Sequence, residues 1–233
     1  MKIGLFGYGK MGKMIEQIAL QRGHTIVAKV DIDTKEIDFQ NMDVAIDFST
    51  PDAAFNNITS CFENNVPVIS GTTGWLGNFE KALDICNKHS GAFIYASNFS
   101  LGVNVFFELN SYLAKMMSAL DQYKVSMEEI HHTQKLDAPS GTAITLAEGI
   151  IENTAYQNWN MEDTGEDIVP IKSKREGTVP GTHTIAYNSK VDGIEIKHTA
   201  HNREGFALGA VIAAEWIQGK TGVFSMKDVL NID

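Results

Sequence analysis

The stretch Lys2-Ile-Gly-Leu-Phe-Gly-Tyr-Gly-Lys-Met-Gly12 decides the fold of the first half of the chain. Its apolar start predicts a buried strand, and its G-x-G-x-x-G turn leads into a run with helical spacing that ends at Gly23. A second predicted strand, His24 to Val30, ends at Asp31. Strand, glycine turn, helix, strand and acid are the order of a dinucleotide-binding unit, although a glycine-rich turn without a ligand has the same local pattern.

Each glycine of the turn has an expected role. Gly7 permits the tight turn, Gly9 lets the backbone approach a pyrophosphate, and Gly12 allows close packing of helix on strand. The acid bears on the cofactor, because a carboxylate at Asp31 accepts hydrogen bonds from ribose hydroxyls but repels a 2′-phosphate. The next residue is Ile32 rather than an arginine, which favours NADH. NADPH stays possible, since Lys29 and Lys35 are close in sequence.

The rest of the first half alternates predicted strands (43–48, 66–70 and 92–96) with predicted helices (52–63 and 78–88). This alternation predicts an α/β fold with a Rossmann-like, doubly wound parallel sheet. Small polar loops follow the strand ends, where such sheets bind ligands. The predicted cofactor-binding residues are Gly7, Tyr8, Gly9, Lys10, Met11, Gly12, Asp31, Phe48, Ser49, Gly71, Thr72, Thr73, Ala96, Ser97, Asn98 and Phe99.

The second half has a different pattern, which predicts an α+β domain on an open mixed or antiparallel sheet. A long apolar helix (101–119) begins it, and strands are predicted at 123–130, 181–189 and 193–200. We expect a helix over 140–152, a loop or mobile lid over 156–181, and a last helix over 204–218, with a tail that could cap either domain. The predicted domains are 1–101 with 203–233, for the dinucleotide, and 102–202, for substrate and oligomerisation. Its half-buried strands predict self-association.

The stretch Glu129-Ile-His-His-Thr-Gln-Lys-Leu-Asp-Ala-Pro-Ser-Gly-Thr-Ala143 carries the candidate chemistry. Two adjacent imidazoles transfer protons near neutral pH, and a lysine adds a fixed positive charge. Pro139 and Gly141 precede an apolar helical run, so Ser140 to Thr142 should form a helix N-terminus that binds anions. These groups suit a small carboxylate that is gripped and protonated, although a His-His-Lys run is also common in solvated loops.

Composition excludes several classes of protein. The net charge of −10 argues against nucleic acid or an anionic membrane as the main partner of this 233-residue chain. Cys61 and Cys86 have no spacing for metal or redox work, so no metal site is predicted and both should be reduced thiols. No apolar run reaches transmembrane length, and the chain opens with a strand, which together favour a cytoplasmic protein.

These motifs resemble the dihydrodipicolinate (4-hydroxy-tetrahydrodipicolinate) reductase family of diaminopimelate and lysine biosynthesis. The family signature matches Glu129, the His-His pair, Lys135, Asp137 and Pro139 to Ala143, and further matches span nearly the whole chain. They are Gly-Lys-Met-Gly12, Asp47-Phe48, Gly71-Thr-Thr-Gly74, Asn98-Phe-Ser-x-Gly102 and the closing stretch from Gly219. The sequence departs from the family in a glycine turn one residue shorter, in Ser126-Met127 and in a shorter loop before Gly181.

The resemblance implies that hydride from NADH or NADPH reduces a cyclic dicarboxylate imine. It implies that His131 and Lys135 are catalytic proton donors and that the substrate is held by His132, Ser140, Gly141 and Thr142. It also implies a homotetramer assembled through the second-domain sheet. Two alternatives stay open from the residues: another two-domain Rossmann oxidoreductase acting on sugars or amino acids, and a non-catalytic NADH-binding sensor.

Overall fold

The computed structural model describes residues 1–34, 36–162 and 165–232. The strands and helices of these residues follow in chain order: β1 (Lys2–Phe6), α1 (Lys10–Gln21), β2 (Thr25–Val30), β3 (Val44–Asp47), α2 (Pro51–Glu63), β4 (Val68–Ser70), α3 (Phe79–Lys88), β5 (Ala92–Tyr95), α4 (Leu101–Met117), β6 (Lys124–His131), α5 (Gly141–Ile151), β7 (Asn158–Asn160), β8 (Ile168–Arg175), β9 (Gly181–Asn188), β10 (Gly193–Ala200), α6 (Glu204–Trp216), β11 (Gly222–Phe224) and α7 (Met226–Leu230).

The chain forms two compact units. Unit 1 comprises Met1–Leu101 and Glu204–Asp233, and unit 2 comprises Gly102–Arg203. Within the described residues no helix has both the length and the apolar character needed to cross a membrane.

Unit 1 is built on a parallel sheet with strand order β11-β5-β4-β3-β1-β2. Alternate residues of its strands enter separate apolar clusters, as Leu5 and Phe6 show: Leu5 packs with α1 and α6, and Phe6 packs with α2 and α3. Successive side chains of a strand point to opposite faces of the sheet, so helices pack on both faces. The Rossmann-like fold predicted from the alternating pattern is confirmed.

Two glycines of the first turn are required by the backbone. Gly7 has φ +87°, and a Cβ there would lie 2.2 Å from the Phe48 carbonyl oxygen. A Cβ on Gly12 would lie 2.3 Å from the Gly7 carbonyl oxygen. Both positions exclude side chains, because no real Cβ contact is that short.

The tail of the chain joins unit 1. Strand β11 pairs in parallel with β5 at the sheet edge, and α7 follows it with a capping box at Ser225 and Asp228. Strand β11 was not predicted from the sequence, since three residues of strand give almost no periodic signal.

Unit 2 is built on a mixed sheet with strand order β10-β9-β6-β8-β7. Strands β9 and β10 pair antiparallel along their full lengths, as predicted, and β6 pairs antiparallel with β9 but parallel with β8. Side chains of α4, α5 and alternate strand positions form one apolar cluster. The mixed sheet predicted for the second half is therefore confirmed.

The prediction of a loop or lid over 156–181 is wrong for residues 158–160 and 168–175. Residues 158–160 form β7, and residues 168–175 form β8, which lies beside the central strand β6. Val169 and Ile171 alternate into the core, which is a strand pattern. Pro170 between them disguised it, because proline usually argues against an interior strand. Asp163 and Thr164, which the predicted lid included, lie outside the described residues.

Candidate active site

A pocket of about 540 Å³ in unit 1 lies at the glycine turn. The carboxyl ends of β1, β2 and β3 form it. In such a sheet the order of the strands reverses between β1 and β3, and ligands bind at that point. Its lining includes the following predicted cofactor residues: Gly7, Tyr8, Gly9, Asp31, Phe48 and Ser49.

The pocket fits a dinucleotide phosphate. Among the described residues, apart from its chain neighbours, no atom lies within 4 Å of the place where a Cβ on Gly9 would stand, so the backbone is open to a ligand there. Helix α1 begins at Lys10, and its N-cap, Gly9, has no side chain that could cap the first N–H groups. The first N–H groups of the helix and its dipole therefore favour an anion.

The buried carboxylate of Asp47 organises the loops of the pocket. It accepts hydrogen bonds from Ser49 Oγ (2.6 Å), Asn57 Nδ2 (3.1 Å), Ser70 Oγ (2.9 Å) and Thr72 Oγ1 (2.7 Å). Burial raises the pKa of Asp47, and these four hydrogen bonds act against that rise. Asp47 thus joins β3, β4 and α2 through uncharged donors, and sequence reasoning gave it no role.

The remaining predicted cofactor residues occupy varied positions. Phe48 packs against Gly71, where a Cβ would lie 2.3 Å from its ring, so that glycine makes room for the phenyl group. The side chain of Phe99 is only 1% exposed and belongs to the apolar core. Lys10 and Met11 are the first residues of α1. Of the others, Thr73 and Ser97 are exposed, Ala96 is half-buried, and Gly12 and Thr72 are buried. Asn98 is also buried, and its side-chain oxygen accepts a hydrogen bond from the Ser100 N–H.

The candidate chemistry of unit 2 lies on one face of three neighbouring strands. The register pairs Glu129 of β6 with Ser173 of β8 and His183 of β9, and it pairs His131 with Arg175. Side chains two residues apart share a face, and this face carries the apolar core farther along β6. The core face therefore becomes polar at the end of β6.

Glu129 is the centre of this polar face and is fully buried. Its carboxylate accepts from the Ser140 N–H (3.1 and 3.2 Å) and from Ser173 Oγ (2.9 Å), and it forms an ion pair with Arg175 (3.2 Å). Burial raises the pKa of Glu129. Contacts with His131, Ser140 and Ser173 lower it by more than burial raises it, so the pKa lies well below the usual range. Glu129 is therefore ionised at neutral pH.

His131 lies directly beside this carboxylate. Its Nδ1 is 3.3 Å from Glu129 Oε2, within ion-pair distance but without the alignment of a direct hydrogen bond. On the other side of the ring, a Cβ on Gly181 would lie 3.1 Å from Nε2. The imidazole thus fits between a fixed negative charge and a glycine, and Nδ1 is the nitrogen that faces Glu129.

His183 completes the buried cluster. Its ring makes an edge contact with His131 at 5.1 Å between centroids, and its Nε2 lies 3.2 Å from Ser140 Oγ. Burial, with a smaller effect of the neighbouring His131, lowers the pKa of His183 to about 3. His183 is neutral at pH 7 and serves as a polar support.

The predicted anion-binding turn is present at the start of α5. Ser140 is the N-cap, and its hydroxyl accepts from the Ala143 N–H, while its own N–H is used by Glu129. Gly141 is exposed and is followed by the half-buried Thr142. In the described part of the chain, beyond its two neighbours, no atom lies within 4 Å of a Cβ placed on Gly141. The exposed start of the helix at Gly141 and Thr142 can therefore face an anion.

His132 and Lys135 lie on the turn after β6. His132 Nε2 is 3.3 Å from an Arg203 guanidinium nitrogen, and burial together with Arg203 lowers the pKa of His132. Lys135 forms an ion pair with Asp137 (2.8 Å). Its ammonium group is therefore already paired with an anion of the protein, and a ligand carboxylate would have to compete with Asp137.

Glu129, His131 and His183 also satisfy a simple distance criterion for a metal site, since their ligand atoms lie within 4.8 Å of one another. The donor set fits a cation poorly, because Arg175, Ser173 and the Ser140 N–H already use the Glu129 oxygens. The surroundings indicate a carboxylate that positions protein groups.

Sequence reasoning missed Ser173, Arg175 and His183. Arg175 also donates to the carbonyl oxygens of Lys135 and Asp137, so it contacts the turn after β6 as well as Glu129. The missed signal was the alternation of β8, which would have placed Ser173 and Arg175 on the same side as the core residues Val169 and Ile171.

Known proteins match the chain along its length. The family model described as dihydrodipicolinate reductase, N-terminus, matches residues 1–99, and the C-terminus model of the same family matches residues 102–230. The 4-hydroxy-tetrahydrodipicolinate reductase of Christiangramia forsetii is 59% identical over 99% of this chain and 98% of its own. That of Thermosipho africanus is 37% identical over the same shares, 99% and 98%.

A solved structure supports the same fold. The dipicolinate-bound dihydrodipicolinate reductase from Paenisporosarcina sp. TG-14 has a TM-score of 0.78 at 21% identity, with 100% of this chain and 99% of that chain covered. At this identity the likeness concerns the fold alone, and the family rests on the sequence matches. The chain belongs to the dihydrodipicolinate reductase family and is an NAD(P)-dependent oxidoreductase acting on a small molecule.

Proposed function

We propose that unit 1 binds the dinucleotide and that unit 2 binds and protonates a cyclic dicarboxylate imine, giving tetrahydrodipicolinate. The observation that carries this proposal is the Glu129 carboxylate, which contacts both His131 and the N–H of the helix cap Ser140. One buried anion thereby fixes the predicted proton donor relative to the predicted carboxylate site.

When bound at the glycine turn, a reduced nicotinamide cofactor would supply the hydride for the electron-poor carbon of the conjugated imine. Electron density then moves to the ring nitrogen, which takes up a proton from the protein. We assign that proton to His131, because its imidazole is held in the site with Nδ1 3.3 Å from the Glu129 carboxylate. Lys135 is the second cation of the site and provides positive charge for the developing anion.

Substrate carboxylates are held, in this proposal, by the start of α5 and by nearby cations. Gly141 and Thr142 offer exposed helix N–H groups, and His132 and Lys135 supply polar or charged side chains from the turn after β6. The polar groups of Ser140 contact Glu129, Ala143 and His183, so its main contribution is to fix the helix start.

The cofactor we propose is NADH in preference to NADPH. Asp31 is exposed and lines the unit 1 pocket, and the next residue is the exposed, apolar Ile32. A 2′-phosphate bound there would therefore meet the carboxylate of Asp31, and the residue after it is not an arginine. Steady-state rates with both cofactors test this preference. Higher kcat/KM with NADPH would contradict it.

We also propose a homotetramer assembled through the unit 2 sheet, without nucleic acid or membrane partners. Strand β10 is an edge strand with mostly exposed residues, and Ile194 on it is 41% exposed. An open edge of this kind favours association. Light scattering gives the mass directly, and a monomer at micromolar concentration would refute the tetramer.

The buried, unpaired Cys61 and Cys86 support a cytoplasmic location.

The decisive experiment follows NADH oxidation with freshly made dihydrodipicolinate in wild type, His131→Gln and Lys135→Ala. We expect turnover to fall roughly 10² to 10⁴-fold in His131→Gln, the usual contribution of a general acid, with NADH affinity unchanged. Turnover should also fall in Lys135→Ala. Loss of NADH binding in His131→Gln would place that histidine outside the substrate site, and unchanged turnover in Lys135→Ala would remove the lysine from the mechanism.

A further inference from the structure

Lys29 of β2 makes a closed set of contacts with Glu16 and Tyr8. Its Nζ lies 2.7 Å from Glu16 Oε1, donates to Tyr8 Oη at 2.9 Å, and lies 4.4 Å from the centre of the Tyr8 ring. The Tyr8 hydroxyl in turn donates to Glu16. The lysine therefore has an anion, a hydroxyl and an aromatic face as partners, all within unit 1.

This trio borders the nucleotide pocket. Tyr8 and Asp31 both line the pocket, and Lys29 lies two residues before Asp31, the spacing that places side chains on the same side of an extended strand. A lysine stem of four carbons with a flexible ammonium can serve either its present partners or a nearby phosphate. Which of these it serves depends on how firmly Glu16 holds it.

The charges decide the consequence for cofactor choice. A 2′-phosphate beside Asp31 needs a counter-charge, and Lys29 is the cation nearest along β2. We propose that Glu16 is a specificity-determining residue, which disfavours NADPH by holding Lys29 on Tyr8 and so withholding the counter-charge from a 2′-phosphate. The proposal rests on the dinucleotide pocket assigned above.

The test measures dissociation constants of NADH and NADPH for wild type, Glu16→Gln, Lys29→Met and the double variant. Glu16→Gln releases Lys29, so NADPH binding should tighten about fivefold or more while NADH binding changes less than about twofold. Lys29→Met alone should change NADPH binding less than about twofold, because Lys29 does not serve the phosphate in the wild type. The double variant keeps the wild-type net charge and should lose the gain.

Glu63→Gln is the matched control, since it removes an exposed glutamate at the end of α2 and should leave both constants unchanged. The proposal is overturned if NADPH and NADH tighten equally in Glu16→Gln, if the gain persists in the double variant, or if Lys29→Met alone weakens NADPH strongly. These outcomes are separate from failure of the proposed function, which would appear as absent binding of both cofactors, or as an NADPH preference, in the wild type.

Discussion

Two fully buried carboxylates, Asp47 in unit 1 and Glu129 in unit 2, have opposite electrostatic environments. All four donors to Asp47 are uncharged, and its pKa is raised by burial. Glu129 has Arg175 and His131 among its partners, and its pKa lies well below the usual range. Equal burial therefore has opposite results, because the partners determine whether the charged form is favoured.

The difference indicates what each unit does. Unit 1 offers a ligand open backbone and neutral hydrogen bonds, and its buried acid shapes loops. Unit 2 holds a buried carboxylate beside an imidazole, which suits the proton transfer that we propose for it. Four predictions can break or sharpen this contrast.

The largest effect is expected for Glu129→Gln, which leaves the half-buried Arg175 and the adjacent His131 without their anionic partner. We expect turnover to fall about 10²-fold or more and the free energy of unfolding to fall by roughly 3 kcal/mol. The matched variant Asp47→Asn should cost only about 1 kcal/mol, since its donors are neutral. Kinetics and denaturant melts report both quantities. Equal destabilisation by the two variants would abolish the contrast.

Acid should weaken unit 2 before unit 1. The pKa of His183 is about 3 when folded and about 6.5 when unfolded, so the unfolded chain binds more protons between these values and stability falls as pH drops through that window. Glu129 adds a loss below its unfolded pKa of about 4.5, whereas the raised pKa of Asp47 acts in the opposite direction. Hydrogen exchange measured at pH 7 and at pH 4.5 gives protection factors for each strand. Between these pH values the protection factors of β6 and β9 should fall by a factor about ten or more times larger than those of β1 and β3. A uniform change would contradict the assignment.

Gly9→Ala tests the open backbone of unit 1. The added methyl has no atom of another described residue within 4 Å beyond its chain neighbours, so stability should be unchanged. It occupies the space assigned to the pyrophosphate and should weaken NADH binding about tenfold. Gly77→Ala, also in open space but outside the pocket lining, is the control. Unaltered NADH affinity in Gly9→Ala would move the phosphate elsewhere.

The smallest effect is expected for Ser173→Ala. This change removes one hydrogen bond of 2.9 Å to Glu129 but leaves the charge and Arg175 in place. We expect a loss of about 1 kcal/mol in stability and a change in turnover within about threefold. A loss as large as that of Glu129→Gln would mean that hydrogen-bond geometry, and not charge, gives Glu129 its role.

The sequence predicted unit 1 better than the partners in unit 2. The glycine turn is local, and Gly7 and Gly12 are required by contacts a few residues away or by the backbone angle itself. Ser140 was likewise found as part of a helix start because capping is a local signal.

The partners of Glu129 depend on strand register, which a single sequence does not reveal. Arg175 and His183 lie 46 and 54 residues beyond Glu129 along the chain and reach it only because β8 and β9 flank β6. Pro170 hid β8, and the ion pair of Lys135 with Asp137 could not be distinguished from two solvated charges. The positions of the charges were readable from the sequence, but their pairings were not.

The central claim is that Glu129 and His131 act as one unit in proton transfer, and a double-mutant cycle on kcat/KM tests it most directly. Glu129→Gln, His131→Gln and the double variant are compared with wild type at saturating NADH. We predict that the double variant is about as slow as His131→Gln alone, because the carboxylate acts through the imidazole. Losses that multiply across the two changes would show that the residues act independently and would contradict the account.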